Sequence, residues 1–367
     1  LKVGHPQSKG VSIVEESVFI VRPDDLILVT GAGGFIGTKV VEYLLGYGCR
    51  NLRCFARPSG NSAKLDALMG QSRDRARIEV FRGNLLSPED CVAATKDVSV
   101  IYHLAAGRGE KLYADAFMNS VVTTRNLLEA SLRHGCLKRF VNVSSFSVYS
   151  NRQKKQGGVL DEASPVESHP ELRGDAYTFA KVKQDEILME YGEKSGVPYV
   201  IVRPGYVYGP GRDGISNRVG IGTFGIFLHL GGSNTIPFTY VDNCADAIAL
   251  AGLKPGVEGE VFNVVDDNLP SSRQFLELYK KNVRRFRSIY IPPLMSYFLC
   301  FLWESYSRWS HGQLPPSFNR RVWYAFWKKT PYSNEKLKSR LGWKPRISSA
   351  DGLARYFESC REKRQNA

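Results

Sequence analysis

Tyr177 and Lys181 stand four residues apart, which on a helix places a phenol and an ammonium one turn from each other on the same face. A tyrosine of ordinary pKa, about 10, is a poor base near neutral pH, and a neighbouring cation lowers that pKa by favouring the phenolate. Such a pair can pass a proton to or from a hydroxyl or carbonyl oxygen. Spacing alone does not single it out, because Tyr324 with Lys328 and Tyr332 with Lys336 repeat it. The company of Tyr177 does. A short way upstream, Val143-Ser144-Ser145-Phe146-Ser147-Val148-Tyr149 ends an apolar strand pattern in hydroxyls, at the carboxyl edge where open α/β sheets bind ligands. Ser145 is the candidate for a second hydrogen bond to the reacting oxygen. Ser144 and Ser147 are its alternatives, and any of these hydroxyls also suits a cap or a turn.

A second constellation is Thr30-Gly31-Ala32-Gly33-Gly34-Phe35-Ile36-Gly37, which follows a strand pattern and opens a helical one. Gly31, Gly34 and Gly37 serve a turn of positive φ, close approach to a pyrophosphate and tight helix–strand packing, while the helix start at Phe35 and Ile36 offers unpaired N–H groups. This is a dinucleotide-phosphate loop, and a nicotinamide cofactor would give Lys181 a ribose to hold beside Tyr177. A carboxylate at the end of the second strand would favour NAD. The segment from Leu52 to Ser59 has none; it offers Arg57, with Arg53 or Ser59 in support, so NADP is favoured over NAD.

These groups must be positioned by short Val- and Ile-rich strands alternating with longer helices. The pattern places strands near Leu26 to Thr30, Leu52 to Ala56, Ile78 to Phe81, Val98 to Leu104, Arg139 to Val143, Tyr199 to Val202 and Val261 to Val265. Helices are expected over Phe35 to Tyr47, Tyr113 to His134 and Tyr177 to Glu193. That is an α/β class with a doubly wound parallel sheet. Residues 1–24 read as an N-terminal extension with a strand-like stretch at Val18 to Val21, residues 25–204 as the dinucleotide-binding domain, and 205–367 mainly as a smaller C-terminal lobe, with the strand near 261–265 returning to the main sheet.

In 367 residues, with 43% hydrophobic residues, there is enough chain for one large domain and a satellite. A formal charge of +14 favours anionic partners, but no nucleic-acid module accompanies it, so a small-molecule substrate and no nucleic acid are expected. Seven widely spaced cysteines without a CxxC pair point to a reducing, cytoplasmic setting and to no metal. No signal pattern or transmembrane run is read. All five tryptophans lie between Trp303 and Trp343, interleaved with Arg and Lys; this mixture suits either an ordinary lobe core or peripheral contact with a membrane surface.

With these residues assembled, the chain resembles the extended short-chain dehydrogenase/reductase family, which includes nucleotide-sugar epimerases and dehydratases, dihydroflavonol reductases, and 3β-hydroxysteroid and sterol dehydrogenases. The landmarks occur in order: TGAGGFIG from Thr30, GNLL from Gly83, IYHLAA from Ile101, Asn119 before NLLEAS, SSFSVY from Ser144, YTFAK from Tyr177, RPGYVYGPG from Arg203 and FTYVDNCADA from Phe238. The resemblance implies a Rossmann fold and cofactor contacts at Asn84 and Leu85 by the adenine, along Leu104, Ala105 and Ala106, at Asn119, and at Pro204, Gly205 and Tyr206 by the nicotinamide. It implies catalysis by Ser145, Tyr177 and Lys181, and it allows a homodimer. Where the family often has Asp at the adenine, this chain has Asn84. Gly205 replaces an Asn common in sugar-nucleotide enzymes, which favours a secondary alcohol or ketone of an apolar, sterol-like or polyketide-like molecule. A nucleotide-sugar epimerase or dehydratase recycling NAD internally, and a cofactor-binding regulator without turnover, are the alternatives.

Overall fold

Period-two alternation in the short apolar runs sends successive side chains to opposite faces of a sheet, and both faces here are covered. The computed structural model describes residues 19–58, 60, 63–72, 74–107, 112–155, 157–311, 313 and 317–365. In chain order the strands are β1 (Leu26–Thr30), β2 (Asn51–Ala56), β3 (Arg77–Arg82), β4 (Val98–His103), β5 (Arg139–Val143), β6 (Tyr199–Pro204), β7 (Tyr206–Tyr208), β8 (Gly220–Thr223), β9 (Ile226–His229), β10 (Phe238–Tyr240), β11 (Val261–Val264) and β12 (Ser288–Tyr290). The helices are α1 (Gly37–Gly46), α2 (Ala63–Ser72), α3 (Pro88–Thr95), α4 (Tyr113–Phe117), α5 (Thr123–His134), α6 (Ala176–Ser195), α7 (Val241–Leu253), α8 (Ser272–Asn282), α9 (Pro293–Trp309), α10 (Arg320–Phe326), α11 (Glu335–Leu341) and α12 (Ser349–Gln365).

Seven strands form one parallel sheet in the order β3-β2-β1-β4-β5-β6-β11. The chain reverses direction across the sheet between β1 and β4, which creates the crevice where such sheets hold ligands. Ile27, Val29, Val100, Tyr102, Val141 and Val143 face one core, with α1 and α7, while Leu28, Ile101, Phe140 and Ile201 face another, with Leu127, Leu128 and Leu188 from α5 and α6. β11 pairs with β6 at the sheet's edge. β8, β9 and β12 build a separate three-stranded sheet beneath α9 and α10, around Leu230, Cys300, Val322 and Trp327.

Three departures from the sequence reading have physical causes. Val18 lies outside the described residues, and Phe19 to Val21 form no strand; Ile20 instead donates its N–H to Leu253 O at 2.9 Å, and the Phe19 ring meets Tyr47 edge-on. The helix expected over 113–134 contains a π turn at Met118–Val122, where the Thr123 and Thr124 hydroxyls take the Asn119 and Ser120 carbonyls. In the stretch after Pro204, where the sequence pattern places no helix, α7 forms with nearly every residue buried; a helix enclosed on all sides shows no polar face to read.

Candidate active site

The phosphate loop is fixed by backbone closeness. Gly31 has φ +68°, and a Cβ there would lie 3.0 Å from Ala105 N; a Cβ on Gly37 would lie 2.1 Å from Gly31 O. The turn closes through Gly34 N to Gly31 O at 3.0 Å, and α1 begins immediately after Phe35 and Ile36. Leu104 N donates to Thr30 O at 3.3 Å and Ala105 N to Thr30 Oγ1 at 3.2 Å, so Leu104, Ala105 and Ala106 continue from β4 directly beside the loop. A side-chain-free cradle at a helix N-terminus fits a dinucleotide pyrophosphate.

At the carboxyl ends of β2 and β3, Gly83 N donates to Ala56 O at 3.1 Å, which brings Arg57 and Asn84 to one corner. Both are exposed. The Asn84 carboxamide oxygen accepts from Leu86 N at 3.0 Å, and Leu85 is buried. Arg53 does not join Arg57: it is held by the neighbouring elements, paired with Glu79 of β3 at 3.1 Å and donating to Ala94 O of α3 at 2.9 Å. Ser59 lies outside the described residues. Arg82 reaches Pro58 O at 3.5 Å and is a cation of this corner that the sequence reading missed, although it closes β3 as Ala56 closes β2.

Tyr177 and Lys181 lie in the first turns of α6, whose start is capped by Asp175 Oδ1 accepting from Tyr177 N at 3.1 Å. Lys181 is buried; its Nζ donates to Val143 O at 2.7 Å and to Gln184 Oε1 at 2.8 Å, and burial pushes its pKa down to about 8. Asp185, one turn further on, accepts from Asn142 Nδ2 at 3.0 Å and Ser144 Oγ at 2.8 Å and pairs with Arg203 at 3.0 Å. All of these partners are buried, so the network pins α6 across β5 and β6. The 177, 181, 185 spacing repeats every four residues on one helix face and could have revealed Asp185 from the sequence.

The three hydroxyls after β5 separate by environment. Ser144 is held by Asp185. Ser147 is buried, and its Oγ has no partner among the described residues. Ser145 is only half-buried and caps a single 3₁₀ turn by accepting from Ser147 N at 3.1 Å, which leaves its own proton to donate. Pro204 ends β6, and Gly205 N donates to Val264 O at 3.0 Å. A Cβ on Gly205 would meet Pro237 O at 2.0 Å, so the close approach of the segment before β10 dictates glycine there, correcting its reading as a substrate determinant. Arg212 covers the ring of half-buried Tyr206 at 4.8 Å. Asn119 is exposed on the π turn, whose neighbour Ser120 accepts from Gly107 N at 3.1 Å.

Beneath the site runs a buried polar chain absent from the sequence reading. Gln184 Nε2 donates to Thr124 Oγ1 at 2.8 Å; Thr124 Oγ1 lies 3.0 Å from His103 Nε2; and His103 Nδ1 lies 2.8 Å from Thr30 Oγ1. Burial, with the charge of Lys181 nearby, pushes the His103 pKa down to about 3 and keeps the ring neutral. The other Tyr–Lys pairs have different work. Lys328 donates to Asn151 O at 2.7 Å above the Tyr324 ring, Lys336 pairs with Glu260, and Tyr332 packs on Phe146.

Comparison with known proteins bears on the family and the fold. The family model of the NAD dependent epimerase/dehydratase family matches residues 27–264. The uncharacterized UDP-glucose epimerase YtcB of Bacillus subtilis (strain 168) is 31% identical over 257 residues, 65% of this chain and 76% of that protein. The 3beta-hydroxysteroid-dehydrogenase/decarboxylase isoform 1 of Arabidopsis thaliana is 24% identical over 90% of this chain and 79% of its own length. Among solved structures, UDP-glucuronic acid 4-epimerase from Bacillus cereus in complex with NAD superposes with a TM-score of 0.66 at 22% identity, covering 92% of this chain and 99% of that one; this likeness is one of fold.

Proposed function

The chain belongs to the NAD dependent epimerase/dehydratase family, enzymes of the extended short-chain dehydrogenase/reductase type, and on that premise we propose that it moves hydride between NADP(H) and a secondary alcohol or ketone of an apolar substrate. The arrangement this reading rests on is the Gly31–Gly37 cradle and the Leu104–Ala106 wall at the carboxyl ends of β1 and β4, with Ser145 just after β5 and α6, which carries Tyr177 and Lys181, tied to the end of β5 through Lys181 Nζ on Val143 O. A nicotinamide bound there would supply the hydride donor or acceptor. Lys181 has two of its three N–H groups on Val143 O and Gln184, and the third is assigned to a ribose hydroxyl. Its charge favours the Tyr177 phenolate, and Tyr177 moves the proton at the substrate oxygen while Ser145 donates a second hydrogen bond to it.

NADP is preferred in this reading because Arg57 directly follows β2 and Arg82 ends β3, with no carboxylate between Leu52 and Pro58, which suits a 2′-phosphate. An apolar substrate is supported by the aromatic C-terminal lobe. A second reading stands beside it: since Pro237 O excludes any side chain at Gly205, that glycine decides between neither substrate class, and the likeness to YtcB supports an epimerase that retains NAD. Denaturing freshly purified protein and identifying what it releases separates the two. No retained cofactor, with NADP(H) bound more tightly than NAD(H) and that preference lost in Arg57→Glu, is the expected result; near-stoichiometric NAD would replace the first reading by the second.

A further inference from the structure

Helix α9 is built the wrong way round for a helix facing water. At 100° per residue, Leu294, Phe298, Trp309, Leu302, Met295 and Tyr306 fall within an arc of roughly 120°, and all six are exposed, Leu294 at 85% and Trp309 at 73%. The inward face is also apolar, carrying Cys300 and Trp303 against the lobe core. The two charges of the helix stay at its edge: Glu304 is held by Arg320 at 2.9 Å and by Arg308 at 3.3 Å. Beside the helix, the β8–β9 hairpin carries Phe224 at its tip, fully exposed with φ +45°. Exposed apolar surface of this extent on a folded chain marks something that covers it.

We propose that this face docks on an anionic lipid bilayer surface, with α9 lying in the interfacial plane. Charge carries the choice of occupant. Lys281, Arg284, Arg285 and Arg287 are exposed immediately before β12, and Arg287 O accepts from Phe227 N at 3.0 Å, which puts this basic edge against the hairpin. A second copy related by a two-fold axis would bring like charges together on a chain whose net charge is already +14, whereas anionic headgroups neutralise them. With 17 residues α9 is shorter than a bilayer span, and no helix among the described residues is long and apolar enough to cross a membrane. Aromatic side chains at Tyr306 and Trp309 suit the headgroup boundary.

Docking has a consequence for access. A cavity of about 590 Å³ lies between α9 and the hairpin, walled by Ile221, Leu228, Cys300 and Trp327, and its rim includes Leu299, Leu302 and Tyr306, which are themselves exposed. Its mouth therefore opens within the docking face, where an apolar molecule dissolved in the bilayer can enter without crossing water. The docking itself does not depend on which reaction the active site performs.

The test uses the full chain with sedimented vesicles of phosphatidylcholine alone and of phosphatidylcholine with about a third phosphatidylserine. The wild type is expected to pellet with the anionic vesicles, with binding weakened by salt and tryptophan emission quenched by brominated acyl chains. Phe298→Glu with Leu302→Glu should weaken binding by about tenfold or more, and Arg284→Glu with Arg285→Glu should abolish the preference for phosphatidylserine. Unchanged dinucleotide affinity in both variants shows that they remain folded. A wild type that binds neither vesicle overturns the proposal. So does a wild-type dimer that the Phe298→Glu, Leu302→Glu protein converts to a monomer, since that would make the face a self-interface.

Discussion

His103 reads in the sequence as one more residue of a strand, yet its ring is wholly enclosed between Thr30 and Thr124. With a folded pKa of about 3 against 6.5 for the free group, the unfolded chain takes up a proton on acidification that the folded chain refuses. The stability this contributes is complete above pH 6.5 and is lost progressively as pH falls toward 3. Urea unfolding should show the wild type losing on the order of 1–2 kcal/mol between pH 6.5 and 5 through this group, and His103→Gln should show a shallower dependence over that window; equal slopes would remove His103 from the account. For the reaction, Tyr177→Phe is expected to lower turnover by two to four orders of magnitude while leaving dinucleotide affinity nearly unchanged, measured on any secondary alcohol the enzyme oxidises. Full activity in that variant would end the proposed role of the phenol.

Glycines on a single helix give opposite signs, and the difference comes from how elements approach each other. Gly37→Ala drives a methyl into Gly31 O and should cost about 1–3 kcal/mol together with dinucleotide binding. Gly46→Ala, at the other end of α1 with nothing within 4 Å of its Cβ, should stabilise by about 0.5–1 kcal/mol. Chemical denaturation of the two variants decides it, and a neutral Gly37→Ala would mean that the loop relaxes freely. The TGAGGFIG loop was legible because its glycines repeat at a helical turn after a strand. Gly205 was misread because the group that dictates it, Pro237 O, lies 32 residues away in sequence. Arg53 was misread because its partner Glu79 belongs to the next strand; strand pairing, which composition does not encode, decides where each side chain goes.

At the scale of the whole chain, the parallel sheet was legible from seven Val- and Ile-rich runs, since strands buried on both faces must be apolar throughout. α7 was not, and neither was the buried chain from Lys181 to Thr30, whose members are scattered between residues 30 and 184. The dinucleotide seat draws on β1 through β6 together, so a ligand filling it should stabilise the fold as one unit: NADPH at 100 times its dissociation constant should add about 2.7 kcal/mol. NADH at the same concentration should add less, and a thermal shift favouring NADH would reverse the preference assigned to Arg57. The buried chain also fixes where protons cannot go. Thr124 spends its one hydroxyl proton on Ser120 O at 2.6 Å, so it must accept from both Gln184 and His103. His103 then carries its hydrogen on Nε2, and Thr30 donates to Nδ1. Donors thus run inward from both ends and meet at Thr124, so the chain has no through direction. Among the described residues this chain therefore gives a proton leaving Lys181 no relay toward Thr30, and hydrogen lost at the site is not handed on through His103.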